Sequence, residues 1–296
     1  MTIEKKGFIN SSIMLFKSRK DIMFAVTWTA ALATIIAGKG FPPLYETLLS
    51  IIAIMLINSS VYIYNDTIDR EMDGYSEQDK KKGRPISNGQ VSVTSAMRYV
   101  YLTSALGLGL CLLLGGIVFL FGFTYFVLLL LYSYPIVRFK TMYVIKNLVT
   151  SLVMPASFLI SGTAVEKTVS LNIVFLAFAY YILSFLVLPA AADMLDYEED
   201  LAFNLKTIGN QLTWKQNLVL FDIGIVFIIA CGALASSMFD LSVYVPIVLS
   251  VFGLPVMAYT YTIRNESGLT ASYKLRPVTY VLVLSTPLIM ALGTVF

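Results

Sequence analysis

Two runs of acidic residues in this chain share one spacing. In VYIYNDTIDREMDGY, Asn65, Asp66, Asp69 and Asp73 follow at steps of one, three and four, and in LPAAADMLDYEED, Asp193, Asp196 and Asp200 repeat the three-then-four steps. On a helix, positions i, i+3 and i+7 share a face, so each run would present its carboxylates together. Like charges so placed repel by a few tenths of a kcal/mol, roughly, per pair even in water, and by more at a membrane boundary. Something positive must offset that repulsion. The chain has no histidine, so a metal here would rest on oxygen ligands, which favours Mg²⁺, Ca²⁺ or Mn²⁺. Mg²⁺ takes one or two carboxylates and fills its octahedron with water and phosphate oxygens. Two opposed carboxylate faces could therefore hold Mg²⁺ around a diphosphate and neutralise it as a leaving group. One such run alone would read as a solvated helix end; two with the same spacing argue against that.

Basic and aromatic residues accompany the runs. Arg70, Arg84, Arg138, Lys140, Lys146 and Lys206 are candidates to hold phosphate oxygens, whereas Lys80, Lys81 and Lys82 read as a headgroup-facing run. Tyr62, Tyr64, Tyr132 and Tyr134 stand near the ends of apolar runs, where interfacial tyrosine is the ordinary meaning. An ionising allylic diphosphate also leaves a carbocation, which aromatic faces stabilise; Tyr62, Tyr132 and Tyr134 are the candidates. Glu198 and Glu199 read as solvated neighbours of the second run, and Asp222 as a lone carboxylate inside an apolar run.

The elements that must position these groups are membrane helices. The 296 residues are 57% hydrophobic and only 13% charged, about half the charged share of a soluble domain. Too few charges remain to cover a globular surface. Nine continuous apolar runs, near 21–38, 46–65, 95–114, 116–134, 146–163, 171–192, 216–235, 241–261 and 277–296, predict an all-α polytopic membrane protein. They lack the alternation of a lipid-facing barrel. The opening MTIEKKGFINSSIMLFKSRK is too polar for a secretory signal and reads as a tail before the first span. No polar linker divides the chain, which reads as one domain over 1–296. Cys111 and Cys231 fall in apolar runs and read as small buried hydrophobes.

Nine spans also sort the charges. The N-terminal tail (Lys5, Lys6, Lys17, Arg19, Lys20) and four alternate connections, starting with the one that carries Arg70 to Arg98, hold 19 of the 21 lysines and arginines; Lys39 and Lys167 fall opposite. The excess of positive charge predicts a cytoplasmic N-terminus, an external C-terminus and both acidic runs at the cytoplasmic face of a cell membrane.

These residues resemble the UbiA superfamily of intramembrane prenyltransferases. Asn65 to Asp73 is similar to its first motif, NDxxDxxxD; Arg84-Pro85-Ile86 with Gly89 to the RPIxxG continuation; and Asp193 to Asp200 to the second motif, DxxDxxxD. Tyr134 to Arg138 resembles the YxxxK element, with arginine in the lysine's place, so the basic contact could pass to Lys140. Asn204 stands where a glycine is common after the second motif. The resemblance implies a helical bundle around a cavity open to lipid. In it, Asn65, Asp66, Asp69, Asp73, Asp193, Asp196 and Asp200 would hold Mg²⁺, the cofactor, and the named basic residues the diphosphate. Asp66, Asp69, Asp193, Asp196 and Tyr134 are the expected catalytic groups. The implied partners are a prenyl diphosphate donor, a hydrophobic acceptor and membrane lipid, with no nucleic acid. Geranylgeranylglyceryl phosphate, as in archaeal ether-lipid synthesis, and an aromatic quinone precursor are the acceptors weighed. Two rival classes fit less well. A CDP-alcohol transferase would carry DGxxAR, which is absent, and a carrier would hold its carboxylates near the bilayer midplane rather than at helix ends.

Overall fold

The computed structural model describes residues 7–75 and 83–296. Lys5, Lys6, Lys80, Lys81 and Lys82 lie outside the described residues, which form helices and turns with no strand. In chain order the helices are α1 (Phe8–Ser18), α2 (Lys20–Ala37), α3 (Leu44–Ile68), α4 (Arg70–Tyr75), α5 (Val93–Leu114), α6 (Gly116–Ser133), α7 (Tyr143–Thr150), α8 (Val153–Glu166), α9 (Leu171–Ala191), α10 (Tyr197–Ala202), α11 (Ile208–Gln211), α12 (Trp214–Met238), α13 (Tyr244–Ile263) and α14 (Gly268–Val295). Short 3₁₀ turns occupy Phe139–Thr141 and Asp193–Asp196.

Nine segments among the described residues are long and apolar enough to cross a membrane: α2, α3, α5, α6, α7 with α8, α9 through α10, α12, α13 and α14. The shortest has 18 residues, about 27 Å of helix at 1.5 Å per residue, close to the hydrocarbon thickness. This is the all-helical, nine-span architecture expected from the apolar runs.

Three boundaries differ from the sequence reading. The polar N-terminal stretch is not a plain tail but contains α1, which buries Leu15 beside Ile63, Ile86 and Tyr99 and leaves Phe8, Ile9 and Ile13 exposed. The last helix starts at Gly268 rather than near residue 277. Ser267 caps it by accepting from the Thr270 amide, so Tyr273, Lys274 and Arg276 ride on the helix and not on a loop. Helix propensity and capping thus outrun the apolar run that marks the span. Finally, neither acidic run lies along one unbroken helix. α3 stops at Ile68, Asp69 is its C-cap, and α4 restarts at Arg70. α9 stops at Ala191 and the chain passes through the 3₁₀ turn before α10. Pro189, in the last turn of α9, lacks the amide that would bond the Phe185 carbonyl one turn before.

Successive spans pack side by side, and α14 returns against α2, which closes the ring; α2 also packs on α8 across it. Small residues permit the tight crossings. At Gly107 of α5, a Cβ would stand 3.0 Å from the Ala53 carbonyl oxygen and 2.9 Å from Ile57 of α3. Polar ties also cross between helices: Trp28 donates to the Leu284 carbonyl at 3.0 Å and Tyr180 to the Val283 carbonyl at 2.7 Å. Cys111 and Cys231 are free and buried, as expected of small hydrophobes.

Candidate active site

The two acidic runs meet. The C-terminal ends of α3 and α9 lie at one end of the bundle and border one cavity of about 470 Å³. Asn65, Asp69 and Asp73 line it from one run, and Asp193, Asp196, Glu199 and Asp200 from the other. Arg19, Arg84, Lys140, Lys146 and Arg276 supply its positive charge, and Tyr62, Tyr132 and Tyr280 its aromatic wall. Val153, Met154, Leu188 and Val283 make the rest of the lining largely apolar.

Each carboxylate of the first run has a cation from a different part of the chain. Asp66, 1% exposed, lies behind the cavity wall. Arg19, at the α1–α2 junction, grips it with both arms of its guanidinium: Nε to Oδ2 is 2.9 Å, and Nη2 pairs with Oδ1. The same Arg19 sits over the Tyr62 ring, 5.2 Å from its centroid. Arg84 pairs with Asp73 and reaches Asp66 Oδ1 at 3.1 Å. Lys140, from the 3₁₀ turn after α6, pairs with Asp69. Asn65 Nδ2 donates to Asp69 Oδ2 and to Ser133 Oγ, both at 2.7 Å, which fixes the amide and the α3–α6 register together.

These pairs are buried, so desolvation competes with attraction in each. Burial pushes the Asp73 carboxyl up to about 6, against the pull of Arg84 and with a further push from Asp66. Burial lowers Lys140, and Asp69 opposes that shift. At Arg19 burial lowers the guanidinium but attraction to Asp66 outweighs it, so the group stands above its ordinary value.

The second run is held differently. Lys146 of α7 donates to Asp193 Oδ1 at 2.6 Å and lies 4.0 Å from Asp200 Oδ2. Its neighbour Asn147, wholly buried, donates to Asp193 Oδ2 at 2.6 Å and accepts from the Ile208 amide at 3.3 Å. Asn147 therefore joins the carboxylate to the start of α11. There Gly209 presses on Asp193: a Cβ on the glycine would stand 2.5 Å from the Asp193 Cβ and 3.0 Å from the Pro189 carbonyl oxygen. Thr207 and Asn210 close a capping box that sets α11 in place.

Not every candidate from the sequence reaches the cavity. Tyr134 is 42% exposed and borders a separate groove with Tyr64 and Tyr101, away from the carboxylates. Arg70 points outward, 3.4 Å from Glu71. Lys206 is exposed and is not part of the cavity lining. Arg138 is also absent from the lining. It sits in a left-handed turn (φ 47°) whose amide bonds the Tyr134 carbonyl at 2.8 Å, and its buried Nε lacks a hydrogen-bond partner. That turn reverses the chain and hands the carboxylate contact to Lys140, two residues on. Glu198 is exposed, but Glu199, read as solvated, is buried in the lining. Asp222 is no member of the site: Thr260 of α13 donates to it at 2.9 Å.

The sequence reading missed four groups. Arg19 was counted only as an orienting charge. Asn147 beside Lys146, Ser133 and Gly209 carried no visible signal, because their roles depend on which helices meet.

The donor set suits Mg²⁺. It is all oxygen, buried and ringed by cations, and Asp73 Oδ2 is buried with no hydrogen-bond partner. Among the described residues no three carboxylate or thiol groups close a metal site by themselves. Mg²⁺, which draws on phosphate oxygens and water for most of its shell, needs no such closure.

Residues 26–283 match the UbiA prenyltransferase family. A 4-hydroxybenzoate octaprenyltransferase of Vesicomyosocius okutanii subsp. Calyptogena okutanii (strain HA) is 24% identical over 246 residues, 83% of this chain and 87% of that protein. One from Shewanella loihica is 28% identical over 111 residues, 38% of each chain. Among solved structures, a digeranylgeranylglyceryl phosphate synthase superposes with a TM-score of 0.77 at 16% identity, covering 97% of this chain and 99% of that one. A UbiA homolog from Archaeoglobus fulgidus bound to DMAPP and Mg²⁺ superposes with a TM-score of 0.67 at 19% identity, covering 93% and 97%. These likenesses show a shared fold.

Proposed function

This chain belongs to the UbiA prenyltransferase family and is a transferase of prenyl groups, and from that premise we propose that it moves an isoprenyl group from an allylic prenyl diphosphate to a hydrophobic acceptor, with Mg²⁺ as cofactor. The observation that carries the reading is the convergence of both acidic runs on one cavity. Asn65, Asp69, Asp73, Asp193, Asp196 and Asp200 would hold the metal, with Asp66 behind them orienting Arg19 and Arg84. The bound metal would neutralise the diphosphate as its C–O bond breaks.

The chain's own residues do the rest. Lys140 and Lys146 hold phosphate oxygens by charge-assisted hydrogen bonds. Tyr62 and Tyr132 face the cavity where the allylic cation forms, and their rings stabilise it. The apolar part of the cavity accommodates the prenyl chain and keeps water from the cation. A carboxylate of the lining or the departing diphosphate takes the proton that the acceptor loses. The positive charge gathered at this end of the bundle supports a cytoplasmic active site and N-terminus.

For the acceptor we propose geranylgeranylglyceryl phosphate. The support is the fold shared over 97% of the chain with digeranylgeranylglyceryl phosphate synthase. The relatedness to 4-hydroxybenzoate octaprenyltransferases favours an aromatic acid as a second reading. Incubation of the purified chain with labelled geranylgeranyl diphosphate, Mg²⁺ and each acceptor, followed by mass spectrometry, decides between them. A prenylated glyceryl phosphate is expected; product with the aromatic acid alone would replace the first acceptor by the second. Asp196→Ala should abolish Mg²⁺-dependent diphosphate release, and unchanged release would sink the mechanism.

A further inference from the structure

A second hollow, of about 280 Å³, opens beside the main cavity. Ser18, Arg19 and Asp21 at the α1–α2 junction form one wall, and Arg276 and Tyr280 of α14 form the other. Arg19, Tyr62, Arg84, Asp196, Arg276 and Tyr280 border both spaces, so the cleft and the cavity are continuous. Lys140 and Lys146 border only the main cavity. Arg19, Arg84 and Arg276 therefore stand where the two spaces join.

We infer that this cleft receives an anionic headgroup of the acceptor, a phosphate or carboxylate, with Arg276 as its anchor. The inference rests on the prenyl-transfer reading and adds the acceptor's chemistry to it. Arg19, Arg84, Lys140 and Lys146 each hold a carboxylate of the acidic runs. Arg276 is exposed in the cleft and makes no hydrogen bond or ion pair among the described residues. Its planar fork of donors suits an oxyanion. One helical turn on, Tyr280 donates to the Asp21 carbonyl at 3.0 Å and ties α14 to the start of α2, so the two walls hold a fixed spacing. Asp21 and Asp196 also face the cleft. Arg276, which has no partner among the described residues, is the charge there that an anion would meet. A headgroup so held leaves the remainder of the acceptor beside Tyr62 and Asp196, where the cleft joins the cavity.

Two acceptor pairs test this on the full-length purified chain with geranylgeranyl diphosphate and Mg²⁺. One pair is the glyceryl phosphate lipid and its dephosphorylated alcohol; the other is 4-hydroxybenzoate and its methyl ester. The wild type should take one charged member with a KM about tenfold or more below its neutral twin. Arg276→Gln should raise that KM by about tenfold or more, the weight of one charged hydrogen bond, and leave the KM for the neutral twin and for the donor unchanged. Arg276→Lys should recover part of the loss. Which pair shows the effect identifies phosphate or carboxylate. Equal use of charged and neutral acceptors by the wild type, or an unmoved acceptor KM in Arg276→Gln, overturns the inference while prenyl transfer stands. Should the wild type release no diphosphate with any acceptor, the prenyl-transfer reading fails instead. Stabilisation against heat by the charged acceptors, present in the wild type and lost in Arg276→Gln, then still judges the cleft, and equal stabilisation of both rejects it.

Discussion

The two acidic runs have the same spacing but are held by different means. The first is fastened by charge: Arg19, Arg84 and Lys140 come from three separate segments, to Asp66, to Asp73 and Asp66, and to Asp69. In the second, among the described contacts, Asp193 is fastened by one lysine and by fit: Lys146 and Asn147 reach from one short helix, and Gly209 packs against the Asp193 backbone. The contrast teaches that similar spacing in sequence does not mean similar support. The first run should yield to charge substitutions alone, whereas the second should yield to a single methyl group as well.

Substitutions can break or sharpen that contrast. The largest effect is expected from the ligands themselves: Asp69→Asn and Asp193→Asn should each lower kcat by about 10²–10³-fold, the scale of losing one preorganised electrostatic contact, measured as diphosphate release. Next comes Gly209→Ala. Its methyl group would displace Asp193, and a shift on the order of 1 Å at a reacting site can lower the rate about 10²-fold. The same change leaves every charge of the first run in place. If Gly209→Ala turns over at the wild-type rate, fit is not what holds the second run.

A stability effect follows. Lys146→Met leaves Asp193 buried beside Asn147 without its cation, which costs about 3–5 kcal/mol when a buried pair is broken. Thermal unfolding in detergent should show it, with Lys146→Arg milder. The smallest effects belong to residues outside the cavity: Arg70→Ala and Tyr134→Phe should each stay within about 0.5 kcal/mol in stability and near wild-type turnover, whereas Tyr132→Leu should slow turnover. Equal losses at Tyr132 and Tyr134 would contradict the placement of the aromatic wall.

Much of this was legible in the sequence because membranes demand long apolar helices and because charge sorts their connections. Nine spans, and the sharing of one bundle end by Asp69 and Asp193, follow from those two constraints. The local shape of the acidic runs was not legible: a three-then-four spacing suggests a continuous helix, but the 3₁₀ turn at Asp193–Asp196 and the cap at Asp69 break it. Which cation meets which carboxylate was hidden too. The sequence left the contact open between Arg138 and Lys140; Lys140 makes it, because a left-handed turn lies between the helix and the cavity. Arg19 was invisible as a partner of Asp66, 47 residues away, since only the folded α1–α2 junction brings it there.

The central claim is that both runs act on one metal-bound diphosphate. A double-mutant cycle on Asp69→Asn and Asp193→Asn tests it, with Mg²⁺-dependent binding of a non-hydrolysable prenyl diphosphate analogue measured by calorimetry. Shared ligation predicts coupling of about 0.5–3 kcal/mol, so that the double variant binds scarcely worse than the weaker single variant. Losses that simply add would mean that the two runs bind separately, and would contradict the account.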